Sequence, residues 1–327
     1  MMTLKRFITI HYLFKLFEEL FFNRITDRKF QVDCLDGIRG LAILFVLFSH
    51  VANANILLIE KLKFAGNGSG TMGVYMFFTL SAFLLTKQLI KIDDYNLRLP
   101  IVWVDYCIRR FLRIYPLYII VLVFVLMGSF YKVRILNHFA EFDFSDFALH
   151  LMAVSGKVHF WTIVMEVKYY IFLPFFIGYF VFFLKRNITK IRILYLLALL
   201  FISYFTYISP SPDSRLLIYV HTLFVLLPIF LGGSLFAIIH EQYKYIKIKR
   251  STLNLVGLML FFCIIILMPN TYRKIIGLPY PFLHQSLTFF LGILFGSFIF
   301  IIHFDEHAFL SRIFSYKLFR FFGITKL

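Results

Sequence analysis

Residues 36–51 read DGIRGLAILFVLFSHV, and everything between Arg39 and His50 is apolar or small. The apolar character continues to Ile59. An α-helix needs about 20 mostly apolar residues to cross ~30 Å of hydrocarbon, so 41–59 reads as a membrane span. Seven further stretches read the same way: 72–90, 114–131, 160–184, 193–209, 216–239, 252–269 and 282–302. The stretch 193–209 is short, 160–184 carries Glu166 and Lys168, and 144–158 is only moderately apolar. The last is expected to form a partly buried, re-entrant element. The expectation is an all-α fold, a polytopic transmembrane helical bundle of about 8 spans.

Composition excludes the alternatives. Of 327 residues, 61% are hydrophobic and 16% charged, against about 45–50% and about 25% in soluble domains. A water-soluble fold of this size cannot hide that much apolar surface. The net charge of +17 does not point to nucleic acid, because no soluble stretch is long enough to hold a basic groove. The basic residues instead sort by loop. With the N-terminus cytoplasmic, 25 of the 34 Lys and Arg fall on the cytoplasmic side and eight on the other, which supports both the count and the orientation. Residues 7–22, FITIHYLFKLFEELFF, read as an amphipathic helix on the membrane surface rather than a cleavable signal, because Arg24, Arg28 and Lys29 follow. The domain reading is therefore an interfacial segment, 1–35, and one membrane domain, 36–327. Three cysteines with no C-x-x-C pair suggest no disulfide framework.

Ionisable groups inside spans are costly and mark function by default. Arg39 and His50 are eleven residues apart; at ~100° and ~1.5 Å per residue they share one helix face, ~16 Å apart. An arginine at the boundary can hold an anion arriving from the cytoplasm, and a mid-membrane histidine can take a proton near neutral pH. The competing reading is an arginine snorkelling to headgroups and a histidine bonding a neighbouring helix. Spacing alone leaves both open.

Three later stretches bear on the choice: GTMGVYMFFTLSAFLLT at 70–86, RRFLRIYPLY at 109–118 and FWTIVMEVKYYIFLP at 160–174. Together with the first helix, in this order, they resemble the acyltransferase family 3 membrane O-acyltransferases. That family carries an R-x10-H first helix, GVxxFFxLSGFL, RxxRIxPxY and WSLxxExxFYxxxP. Departures from the pattern are Ala82 for Gly, Thr162 for Ser, and Lys168 beside the family glutamate. FRFFGITKL, at 319–327, resembles the lead-in to a further family helix, so the resemblance leads one to expect a terminal span beyond it and about 10 in the family.

The resemblance implies acyl transfer, usually from cytoplasmic acetyl-CoA, to a hydroxyl of a cell-envelope carbohydrate, in a bacterial cytoplasmic (inner) membrane. His50 and Glu166 are then the catalytic candidates. Arg39 and Arg113, followed by Arg110 and Arg109, are the candidates for holding CoA phosphates, since guanidinium groups bind phosphate bidentately. Trp161 and Tyr170 are acceptor-contact candidates. No metal is implied: His303, Asp305, Glu306 and His307 read as a solvated helix end. His221, His284 and His159 are secondary candidates for acceptor contact. Gly292 and Gly296 form a G-x-x-x-G spacing that suits close helix packing, with a homo-oligomer as the other option. Two other function classes stay open: a transporter or glycan flippase without acyl chemistry, and an inactive remnant with a binding role.

Overall fold

The computed structural model describes residues 33–54, 64, 66, 68–131, 142–157, 159–208, 215–277 and 280–324, with side chains at all of these except 199–200, 202–222, 276, 280–287 and 324. The chain forms helices α1 Asp33–Asn53, α2 Ser69–Leu89, α3 Pro100–Phe130, α4 Phe144–Leu151, α5 Trp161–Gly178, α6 Ile188–Ile208, α7 Arg215–Tyr243, α8 Arg250–Ile266, α9 Pro269–Ile276, α10 Tyr280–Phe304, α11 Phe309–Phe314 and α12 Lys317–Ile324. No strand occurs among the described residues. Each of the eight apolar stretches overlaps a separate helix: α1, α2, α3, α5, α6, α7, α8 and α10. Among the described residues five helices are long and apolar enough to cross a membrane, or six when the bent α8–α9 pair counts as one. The surface helix expected within 1–35 falls outside the described residues up to Asp33, where α1 begins.

Two boundaries moved for identifiable reasons. Hydropathy places the third span at 114–131, yet α3 starts at Pro100. Proline is well suited to that first position, and the charged turns beyond it stay helical with Asp105 and Arg109 paired at 2.8 Å. The apolar stretch 252–269 breaks after Ile266, and α9 leaves it at 85°, with Pro269 opening the new helix.

Helices α2 and α7 form the centre. Each buries 72% of its apolar window, against 22% for α3, which lies at the periphery and turns Leu117, Ile120, Phe124 and Met127 outward. In a bilayer, apolar side chains gain little by leaving lipid, so helices associate where small residues let backbones approach. That is the use of the G-x-x-x-G spacing here. A Cβ on Gly292 would lie 2.4 Å from the Pro228 carbonyl oxygen, and one on Gly232 would lie 2.2 Å from that of Gly292. The small stripe is thus spent on the α7–α10 contact inside one chain. A second seam joins α1 to α12: a Cβ on Gly40 would sit 1.9 Å from Phe319 O, and one on Gly323 1.8 Å from Asp36 O. Arg320 and Asp33 close the seam at 2.8 Å.

The moderately apolar stretch 144–158 forms the short helix α4 and a turn. Asp143 and Asp146 make a capping box, satisfying amide groups that the helix start leaves open. His150 is buried, its Nδ1–H donating to the Asp146 carbonyl at 2.7 Å and its Nε2 accepting the Lys157 amide at 2.8 Å. Lys157 in turn reaches Asp146 at 2.5 Å. Burial holds the His150 pKa below the ordinary imidazole value. This knot fixes the turn that leads into α5.

Candidate functional site

Glu166 lies in the second turn of α5, facing α2. Ser81 donates to its Oε1 at 3.2 Å, and Tyr170, one turn further along α5, donates to the same oxygen. A carboxylate with two hydroxyl donors is held in place without being neutralised. Oε2 meets no donor among the described residues. Lys168 points elsewhere, donating to the Val154 carbonyl at 3.2 Å, as its position two residues from Glu166 requires. Tyr170 is only 5% exposed, and it is further fixed by the Tyr106 hydroxyl, which donates to its carbonyl at 3.1 Å.

Of the four candidate arginines, Arg39 and Arg113 act electrostatically on Glu166 or Tyr170 and Arg110 packs on Tyr170, while Arg109 stands apart. The Arg110 guanidinium lies 5.8 Å from the ring centroids of both Tyr106 and Tyr170, and its Nε is buried without a partner among the described residues. Arg39 donates to Asp36 at 2.7 Å and to the Gly323 carbonyl at 3.4 Å. It is within electrostatic reach of both Glu166 and Arg113, and Arg113 also acts on Arg110. Arg39, Arg110, Arg113, Glu166 and Tyr170 therefore form one group assembled from α1, α3 and α5. Arg109 is not part of it: its guanidinium is taken up by Asp105, one turn earlier on α3.

His50 stands about three turns along α1 from Arg39, on the same face. Its ring meets that of His159 edge-on, with centroids 5.2 Å apart. His159 immediately precedes α5, and Trp161 opens the helix with its ring edge-on to Phe78 at 6.1 Å. The approach is tight: a Cβ on Gly156 would fall 2.5 Å from the Trp161 Cα, and Ala153 adopts a φ of 54°, a region costly for any residue with a Cβ. The turn that follows the knot around His150 thus sets where His159 meets His50 and where Trp161 meets Phe78. His221 and His284 have no described side chains.

A second polar group was not legible as a site. His303, read as part of a solvated terminus, faces inward. Lys87 donates to its Nε2, and its ring stacks on His240 with centroids 4.5 Å apart. Phe83 lies edge-on to both imidazoles. Further down the same sequence stretch the reading holds better: Asp305 takes Arg250 at 2.8 Å, which keeps its carboxyl below the usual carboxylate range. A separate buried hydroxyl chain, Tyr169 to Ser234 at 2.5 Å and Ser234 to Thr86 at 2.7 Å, ties α5, α7 and α2 together. Ser81, Ser234, Lys87 and His240 were all missed in sequence, because each becomes polar-functional only through a partner on another helix.

Comparison with known proteins agrees with this architecture. The family model for acyltransferase family 3, described as an acyltransferase domain, matches residues 32–323. The chain is 26% identical over 319 residues to the peptidoglycan O-acetyltransferase of Listeria monocytogenes, covering 91% of this chain and 48% of that protein. A Staphylococcus aureus protein named "Putative O-acetyltransferase" is 26% identical over 167 residues, covering 43% of this chain and 24% of its own. The "Putative acetyltransferase" of Acidianus two-tailed virus is 30% identical over 141 residues, covering 42% and 38%. The chain thus spans less than half the length of each of these relatives. No solved structure matches. A family match through nearly the whole described chain, on a bundle whose apolar helices are those of a multi-pass membrane protein, places it: the chain belongs to acyltransferase family 3.

Proposed function

We propose that the protein transfers an acyl group, acetyl in the simplest case, from cytoplasmic acyl-CoA to a hydroxyl of a cell-envelope glycan. The observation that carries this is the joint placement of Arg39, Arg110 and Arg113 around Glu166 and Tyr170, on the helix face that also carries His50. Cations of this kind suit a polyanionic donor, and Arg110 still has a buried donor to give. The acceptor in the Listeria relative's name is peptidoglycan; a surface polysaccharide or lipid-linked sugar has the same hydroxyl chemistry. The membrane is the bacterial inner membrane on this reading.

In the reaction, His50 takes the proton of the acceptor hydroxyl as that oxygen attacks the thioester carbonyl. The carbon–sulfur bond then breaks, CoA leaves as thiolate, and the imidazolium returns the proton to it. Glu166 offers Oε2 to the acceptor, and Tyr170 acts through Glu166 as a positioning residue. Trp161 and His159 shape the acceptor side.

The test is glycan O-acetylation in cells with and without the gene, read as ester-linked acetate released by mild base. Ester that depends on the gene and disappears with His50→Ala supports the reading. Unchanged ester in cells holding correctly inserted protein would favour a transporter or an inactive binder.

A further inference from the structure

Lys87, His240 and His303 come from the last turns of α2, α7 and α10. Cations at helix C-termini are ordinary, since the dipole favours them. Two imidazoles among them are not explained that way. An ammonium group has only donors, so His303 Nε2 must accept from Lys87 and the His303 proton must sit on Nδ1. That Nδ1–H is buried with no partner among the described residues, and so is Nδ1 of His240, a residue only 8% exposed. A buried polar nitrogen without a partner is destabilising, and here there are two, in stacked rings beside a lysine.

The surroundings are cationic. Lys91 and Lys244 act on His240 along with Lys87. The nearby carboxylates are committed, Glu241 to Lys244 and Asp305 to Arg250, while Lys87, Lys91 and Lys247 pair with none among the described residues. An open groove of about 400 Å³ adjoins the cluster, lined in part by Lys244, Tyr245, Lys247, Arg250 and Phe304. Phe304 connects the two, its ring edge-on to His240 at 6.3 Å. The place is short of one thing, an anion with several acceptor oxygens.

We infer that the Lys87–His240–His303 cluster binds a phosphate group of the acyl donor, its ribose phosphate, with the neighbouring groove receiving the nucleoside. The inference rests on acyl-CoA being the donor. It adds a second anionic contact, separate from the Arg39–Arg110–Arg113 group. A phosphate monoester supplies near double charge and three acceptor oxygens, which suits the lysine and the two unpartnered imidazole nitrogens. Tyr245, 85% exposed, and Phe304 offer aromatic faces on which a base can stack.

The experiment measures binding of acetyl-CoA and of acetyl-dephospho-CoA, which lacks only the ribose phosphate, to the full chain in nanodiscs. Wild type is expected to prefer acetyl-CoA by ~10-fold, equivalent to ~1.4 kcal/mol. Lys87→Met and His303→Phe are expected to abolish that preference while leaving acetyl-dephospho-CoA affinity unchanged. Lys87→Arg, which keeps a cation, is expected to restore most of it, and this guards against reading a misfolded variant as a lost contact. Full preference retained in Lys87→Met and His303→Phe overturns the subsite alone. Failure of wild type to bind either thioester overturns the acyl-CoA reading together with it. Variants that lose binding of phosphatidylglycerol vesicles, with thioester preference intact, assign the phosphate to a lipid headgroup and overturn the donor assignment.

Discussion

Two of the polar groups within the apolar bundle, one around Glu166 and one around Lys87, are built differently. Around Glu166, both hydroxyl donors are present and aimed, Ser81 from α2 and Tyr170 from α5 itself. Around Lys87, two imidazole nitrogens face no protein partner among the described residues. The first group has its geometry fixed by the protein, as the proposed acyl transfer would require. The second has donors to spare, as recognition of a mobile anion demands. A membrane interior penalises both, so each must repay its cost by use, and the missing partners point to where a ligand completes the structure.

Removing the group closest to bond making should have the largest effect. His50→Ala is expected to lower acetyl transfer by ~10²–10⁴-fold, the usual worth of a general base, with membrane insertion and donor binding unchanged. A variant that loses donor binding instead would move His50 from chemistry to recognition and weaken the contrast between the two groups. Glu166→Gln is expected to cost ~10–100-fold, in line with losing a charged hydrogen-bonding group. Tyr170→Phe should cost less, and the double variant should be no worse than Glu166→Gln alone, because the hydroxyl acts through the carboxylate. Additive losses would show that Tyr170 meets substrate itself. Lys87→Met comes next, at the ~10-fold in donor affinity argued above.

The α1–α12 seam supports the basic end of the first group, so a packing change there should act through stability. Gly323→Val places side-chain carbons against the Asp36 carbonyl, where even a Cβ would fall at 1.8 Å. A cost of ~1–3 kcal/mol is expected for such overpacking, seen as a lower unfolding temperature in detergent. A loss of donor affinity should accompany it, because Arg39 donates to the Gly323 carbonyl. An unchanged unfolding temperature would mean the seam is looser than its backbone spacing indicates.

What was legible in sequence followed from spacing along single helices. Apolar runs marked eight helices because hydrocarbon thickness sets their length. The Arg39–His50 interval marked one face because the helical repeat is fixed, and Lys168 was separable from Glu166 for the same reason. Arg109 was grouped with Arg39, Arg110 and Arg113 by its place at the cytoplasmic boundary, but neighbours one residue apart point ~100° away from each other, and Asp105 pairs with it. His303 looked solvated because polar residues crowd the end of α10, whereas its ring turns back onto α2 and α7. Lys87, His240 and His303 are far apart in the chain, and no one-dimensional period relates them. Tertiary packing alone assembles that group.

The smallest expected effect concerns the knot that precedes His159, whose ring meets His50. His150 must stay neutral to accept the Lys157 amide on Nε2, because a protonated imidazole has no acceptor left. Burial already depresses its pKa in the folded protein, so the folded state binds this proton less readily than the unfolded chain does. The stability it contributes is therefore present above the unfolded imidazole value of about 6.5 and is lost as pH falls below it. His150→Asn should cost about 1 kcal/mol at pH 7.5, roughly one buried hydrogen bond, and the gap to wild type should narrow towards pH 5. Thermal unfolding at the two pH values measures both terms, and amide exchange at Lys157 reports the bond itself. A gap that stays constant with pH would show that the ring's shape, rather than its unprotonated nitrogen, holds the turn against α5.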